Sequence, residues 1–136
     1  MTKDLMVKIQ IQFKVLNIFD GKAEDEIITL QEIYELLEKT GEIWIKRNNK
    51  GIKQWKNSIR AQGTNILADS HALVRVKDGE FSIGEKENFE KAYEDCLISL
   101  YECFHMGFDN DIGDLIFTND EMDDVIDEYK KLYVEE

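Results

Sequence analysis

Between Ile45 and Arg60 the chain places six basic side chains, Lys46, Arg47, Lys50, Lys53, Lys56 and Arg60, and no acidic one. Ammonium and guanidinium groups at that density neutralise phosphates and release their condensed counterions. Arg75 and Lys77 extend the pattern, so that residues 43–77 hold eight basic residues against Asp69 alone. Gln54 and Asn57, interleaved with the cations, are amides of the kind that meets base edges. Without a partner, the same run would be a solvated polar face of an ordinary helix. The rest of the chain is acidic. Its net charge is −12, and residues 106–136 hold eleven acids against Lys130 and Lys131. Charge is thus segregated along the chain, with a basic centre that suits a polyanion and an acidic end that repels DNA or imitates it.

Other reactive residue types are present at spacings that do not complete a site. The stretch "DNDIGD", 109–114, starts like a calcium loop, but that loop needs glycine at its sixth place and glutamate at its twelfth. Those places hold Asp114 and Asp120. Asp114 with Glu128 and Lys130 has the acid…E-x-K spacing of one nuclease class, whose chemistry requires the triplet on a strand; here it falls in a helical pattern. His71 and His105 have no nucleophile beside them in sequence. Cys96 and Cys103 lie seven residues apart in a helical stretch, which separates their Cα atoms by ~10 Å, beyond disulfide reach. No phosphate-cradling glycine loop occurs. The expectation is a non-enzymatic protein with no metal and no cofactor.

The elements that would carry the basic residues can be read from hydrophobic periodicity. Residues 29–39, "TLQEIYELLEK", form a helix with Thr29 as N-cap and Glu32 completing a capping box. Leu30, Ile33, Tyr34 and Leu37 make one apolar face, and Gly41 is the expected stop. Residues 43–51 read as a polar loop. Residues 52–62 read as a second helix on which Ile52, Trp55 and Ile59 share an apolar stripe, so Trp55 is assigned to packing, with Lys53, Lys56, Asn57 and Arg60 outside the stripe and Gly63 at the end, although Ile66 and Leu67 suggest a further turn. Residues 72–83 carry the hairpin signal, with Asp78-Gly79 as the turn. A long amphipathic helix is expected over 86–106, then an acidic loop over 108–118. A last helix over 120–133 would turn Met122, Val125, Ile126, Tyr129 and Tyr133 inward. Residues 5–19 fit both periods: Val7, Ile9, Ile11, Phe13 and Val15 alternate, while Leu5, Ile9, Phe13 and Leu16 fall at helical spacing.

Helix, helix, basic loop, basic helix and tight hairpin is the order of a winged helix-turn-helix, in which a helix enters the major groove and the hairpin wing touches backbone. The residues also resemble a family. Trp55, Lys56, Ile59 and Arg60, followed by "LVRVKDGEFSI" at 73–83 and preceded by "TLQEIYELLEK", resemble the winged-helix modules attached to some bacterial restriction endonucleases. The resemblance covers residues 5–84 and implies that 5–19 is the first helix. The stretch "AQGTNILADSHA" is long for that pattern, and the acidic part after 84 is not covered by it.

The expected architecture is α+β, mainly helical. A winged helix-turn-helix core with a β-hairpin wing, residues 1–84, carries a C-terminal two-helix acidic extension, residues 85–136, packed on it. The expected function is a nucleic-acid-binding accessory or regulatory protein, with DNA preferred to RNA. Its contacts would be Lys46, Arg47, Lys50, Lys53, Lys56, Asn57, Arg60, Arg75 and Lys77. The alternative is an acidic protein-binding inhibitor, such as a phage anti-restriction or anti-CRISPR factor. It would present Asp120, Glu121, Asp123, Asp124, Asp127 and Glu128 to a basic nucleic-acid-binding protein. The 86–106 helix is the natural face for a homodimer. No apolar run approaches the ~20 residues that span a membrane, and "MTKDLMVKIQIQF" lacks the continuous apolar segment of a signal peptide, so a cytoplasmic protein is expected, of a bacterial cell or its phage.

Overall fold

The computed structural model describes residues 3–40, 52–105 and 119–134, with side chains described over 8–39, 56–102 and 120–134. Helix α1, Lys3–Phe19, settles the ambiguity of that segment. Ile11, Phe13, Val15, Leu16 and Phe19 are all buried, as are Gln10 and Lys14. A helix buried on most of its sides shows apolar residues outside any single stripe. Here α1 packs against three other helical segments at once, which is why its sequence also alternates.

Strand β1, Ile28–Thr29, leads directly into helix α2, Leu30–Thr40. The Glu32 amide donates to Thr29 Oγ1 at 3.1 Å, the N-cap bond that the sequence predicts. Ile33 and Leu37 enter the core. Gly41 and the basic loop that follows α2 in sequence lie outside the described residues.

Helix α3, Ile52–Ile59, a π-helical turn, Arg60–Thr64, and helix α4, Asn65–Asp69, run on without a break. Gly63 therefore does not end the helix, as its type suggests. It lets α1 approach: a Cβ there would stand 3.1 Å from Ile11 Cγ2 and 3.2 Å from Val15 Cγ2. In the π turn the Asn65 amide reaches back to the Arg60 carbonyl, which Thr64 Oγ1 also meets at 3.2 Å. Such turns are rare and mark places where a helix face is re-aimed. Gly63→Val is expected to destabilise the protein by about 2–3 kcal/mol in a urea titration, because the added methyls collide with α1; an unchanged midpoint would refute the close approach.

Strands β2, Leu73–Lys77, and β3, Glu80–Ile83, form the hairpin, with Gly79 at φ 76° in its turn. The third strand was not legible in the sequence. β1 pairs antiparallel with β3, giving the order β1-β3-β2, with Ile28 opposite Phe81 and Arg75 opposite Phe81 on the other side. The Leu30 amide bonds the Gly79 carbonyl at 2.8 Å, fixing the start of α2 to the hairpin turn.

Helices α5, Lys86–His105, and α6, Asn119–Tyr133, complete the elements of the described residues. The fold is thus mainly helical with one small antiparallel sheet, an α+β arrangement. A single core cluster takes side chains from both parts of the chain: Phe19, Ile33, Ile59, Leu67, Leu73 and Phe81 with Phe89, Leu97, Leu100 and Val125. On α6, Met122 and Tyr129 pack against that core, and Tyr129 stacks on Tyr101 of α5 at 3.8 Å between centroids. Tyr133, expected inside, is 45% exposed. Among the described residues no helix is long and apolar enough to cross a membrane.

Candidate nucleic-acid interface

The basic side chains are carried by two contacts, one between α2 and α3 and one between α4 and the hairpin. Tyr34 of α2 makes the first. Its hydroxyl donates to the Lys56 carbonyl at 3.2 Å, and the Lys56 ammonium lies 5.4 Å from the Tyr34 ring centroid. Burial raises the Tyr34 hydroxyl above its usual range, opposed by the charge of Arg60. Lys56 is half-buried, while Asn57 and Arg60 are exposed, so all three stand beside the Ile59 side chain that anchors α3 in the core.

Past the π turn, Asn65 begins α4 and meets the hairpin. Asn65 Oδ1 accepts from Arg75 Nη2 at 2.6 Å, and the Arg75 guanidinium lies 5.6 Å from the Phe81 ring centroid. Arg75 is thus held along the sheet and ties the hairpin to the helix. Lys77 is exposed at the end of β2. Of the nine residues expected from the sequence, Lys56 and Asn57 lie on α3, Arg60 opens its π turn, and Arg75 and Lys77 lie on β2. Lys46, Arg47 and Lys50 lie outside the described residues. Lys53 is on α3, and its side chain, like those of Ile52 and Trp55, lies outside them. The roles of Tyr34 and Asn65 leave no sign in the sequence, since each works through a partner ten or more residues away.

The acidic residues divide differently from the expectation. Asp120, Asp123, Asp124 and Asp127 are exposed on α6 and Glu128 is half-buried. Glu121 turns inward and takes the Lys14 ammonium at 2.9 and 3.2 Å; the Lys14 side chain is 5% exposed. A recess of about 350 Å³ beside this pair is lined by Asp20, Glu121, Asp124 and Glu128 with Phe13 and Tyr93. No group of three metal-ligating side chains occurs among the described residues, and the calcium-like stretch 109–114 lies outside them. Glu128 and Lys130 are on a helix, so their side chains diverge. His71 is exposed in a left-handed turn, φ 66°, between α4 and β2.

Two weak acids respond to alkali. The Cys96 thiol is pushed up to about 12, first by burial and then by Asp95. The Tyr93 hydroxyl is pushed up to about 12 by burial, then by Asp20 and Glu128. Both keep their protons in the folded protein at a pH where the unfolded chain has lost them. The unfolded state then binds fewer protons, and stability falls as pH rises. The expected loss begins near pH 9, the ordinary thiol value, and steepens near pH 10, the ordinary tyrosine value. Thermal melts of Cys96→Ala and Tyr93→Phe between pH 8 and 11 should each show a flatter decline; parallel declines would contradict the assignment.

Compared with family models, curated proteins and solved structures, the chain matches none.

Proposed function

We propose that residues 1–84 form a winged-helix unit that binds duplex DNA, with α3 as the groove-facing helix and the β2–β3 hairpin as the wing. The supporting observation is the order of the described elements: α1, β1, α2, α3 with its π turn and α4, β2, β3, with a sheet in the order β1-β3-β2. Asn57 and Arg60 are exposed and Lys56 half-buried on the continuous α3–π-turn helix, and the hairpin tied to its continuation α4 carries Arg75 and Lys77. Lysine and arginine on both elements give phosphate contacts on either side of the groove, and Asn57 is the amide placed among them. Arg75 acts as a strut between helix and wing more than as a free cation. The protein on this reading carries out no reaction; it is an accessory or regulatory module.

A fluorescence-anisotropy titration with a duplex of about two turns at ~50 mM salt tests the proposal. Binding should weaken linearly in log–log with added salt, by about 0.9 units for each phosphate contacted. Absence of binding at that salt would remove the proposal.

A second reading has one observation in its favour. Asp120, Asp123, Asp124 and Asp127 recur at helical spacing on the exposed side of α6. They would imitate phosphates toward a basic channel of another protein, the acidic-inhibitor alternative. Changing Asp123, Asp124 and Asp127 to Lys would release such a partner.

A further inference from the structure

We propose that the groove between α1 and α2 is a docking site for a basic amphipathic helix of a partner protein. The groove encloses about 370 Å³, with Ile18 of α1, Ile28 of β1 and Leu36 and Leu37 of α2 as its apolar part. Leu37 is in the core, while Leu36 beside it is 45% exposed. An exposed leucine at the edge of a recess is where an incoming apolar side chain removes most area from water.

The charges select the occupant. Inside the groove the two lysines are already engaged, Lys14 with Glu121 at 2.9 Å and Lys22 with Glu26 at 3.8 Å. Glu32 lines the same groove and forms no ion pair among the described residues. The chain from Asp20 to Lys39, which supplies most of the lining, carries seven carboxylates and two lysines. Asp20, Glu24, Asp25, Glu35 and Glu38, on the same stretch, are exposed. An apolar recess with an acidic rim complements a helix that shows leucine-like residues at three and four spacing between lysines or arginines. Nucleic acid is repelled from this rim. A second copy of the chain brings a net charge of −12 toward it.

Tyr34, which meets the basic face, and Leu36 are two residues apart on α2, roughly 200° around the helix axis. The groove and the basic face therefore flank α2 on opposite sides, and occupancy of one leaves the other open.

The test uses a fluorescein-labelled leucine–lysine peptide about four helical turns long, with its leucines on one face, titrated into the full chain. The expected dissociation constant is on the order of 10 μM. Backbone amide shifts should map to Ile18, Glu32 and Leu36. Leu36→Lys and Glu32→Lys should each weaken binding at least about 10-fold, as should scrambling the peptide so that its leucines no longer share a face. A variant with Lys56→Glu and Arg60→Glu should bind the peptide within about twofold of the parent, which separates this site from the nucleic-acid proposal. Equal affinity for the scrambled peptide, unchanged affinity of Leu36→Lys, or shifts confined to Asp123 and Asp127 would overturn it. So would a homodimer in sedimentation that Leu36→Lys abolishes, since the groove would then belong to a second copy.

Discussion

Replacing Lys53, Lys56 and Arg60 together by Glu should lower affinity for duplex DNA by at least about 100-fold at ~100 mM salt. Each replacement removes a cation that releases counterions and adds a charge of the sign the phosphates carry. The slope of log affinity against log salt should flatten by about 0.9 for every phosphate no longer neutralised. The variant should melt close to the parent, because Arg60 is exposed and Lys56 is only half-buried beside Tyr34. Asn57→Ala should behave differently. If its amide meets a base edge, its removal alters the preference among duplex sequences and leaves the salt slope as it was. Arg75→Gln should cost less than Arg60→Glu, since the Arg75 guanidinium is already committed to Asn65 and the Phe81 ring. Equal affinity of the triple variant and the parent would contradict the assignment of α3 as the contact helix.

The second large effect is an asymmetry within one ion pair. Glu121→Ala should destabilise the protein by about 2–3 kcal/mol, while Lys14→Met should cost under about 1 kcal/mol. The Lys14 side chain is 5% exposed and that of Glu121 is 35% exposed. Removing the carboxylate leaves an ammonium in the interior without this counterion, the expensive outcome. Removing the lysine leaves a carboxylate with access to water, and methionine refills the buried stem volume. Because Glu121 is partly solvated, the cost stays at the low end for a broken buried pair. Chemical denaturation measures both variants, and equal costs would contradict the burial difference. The pair joins residues 107 apart in sequence, so Glu121→Ala should also loosen α6 from α1, seen as faster amide exchange along α6.

The sequence carried much of this molecule because its strongest signals are local. The capping pair Thr29 and Glu32, the turn Asp78-Gly79 and the apolar periods of α2, α5 and α6 lie within single elements, and the structure places each of them in its expected element. Three features escaped for a common reason, that their cause is tertiary. Strand β1 is two residues long and exists through its pairing with β3. Gly63 reads as a helix stop, yet its missing side chain is what admits α1. Glu121 sits in a row of acids that all look solvated, and only the approach of Lys14 from α1 distinguishes it. The candidate site shows the same division. Lys56, Asn57 and Arg60 could be named from their places around the Ile59 stripe, whereas the struts Tyr34 and Asn65 became visible only with their partners Lys56 and Arg75 in place.

The charge segregation first seen as eight basic residues in 43–77 now has a spatial form. Basic side chains stand on α3 and the hairpin, and the acids of α6 are set on the same core through Val125 and the Lys14–Glu121 pair. The proposal that the basic surface meets nucleic acid is tested most directly by amide shift mapping, with isotope-labelled protein titrated by a duplex of about two turns at ~50 mM salt. With α3 as the contact helix and the hairpin as the wing, the perturbed amides cluster at Lys56, Asn57, Arg60 and Lys77, and those of Asp120, Asp123, Asp124 and Asp127 stay in place. Perturbation confined to α6, or no perturbation at saturating duplex, would contradict that assignment.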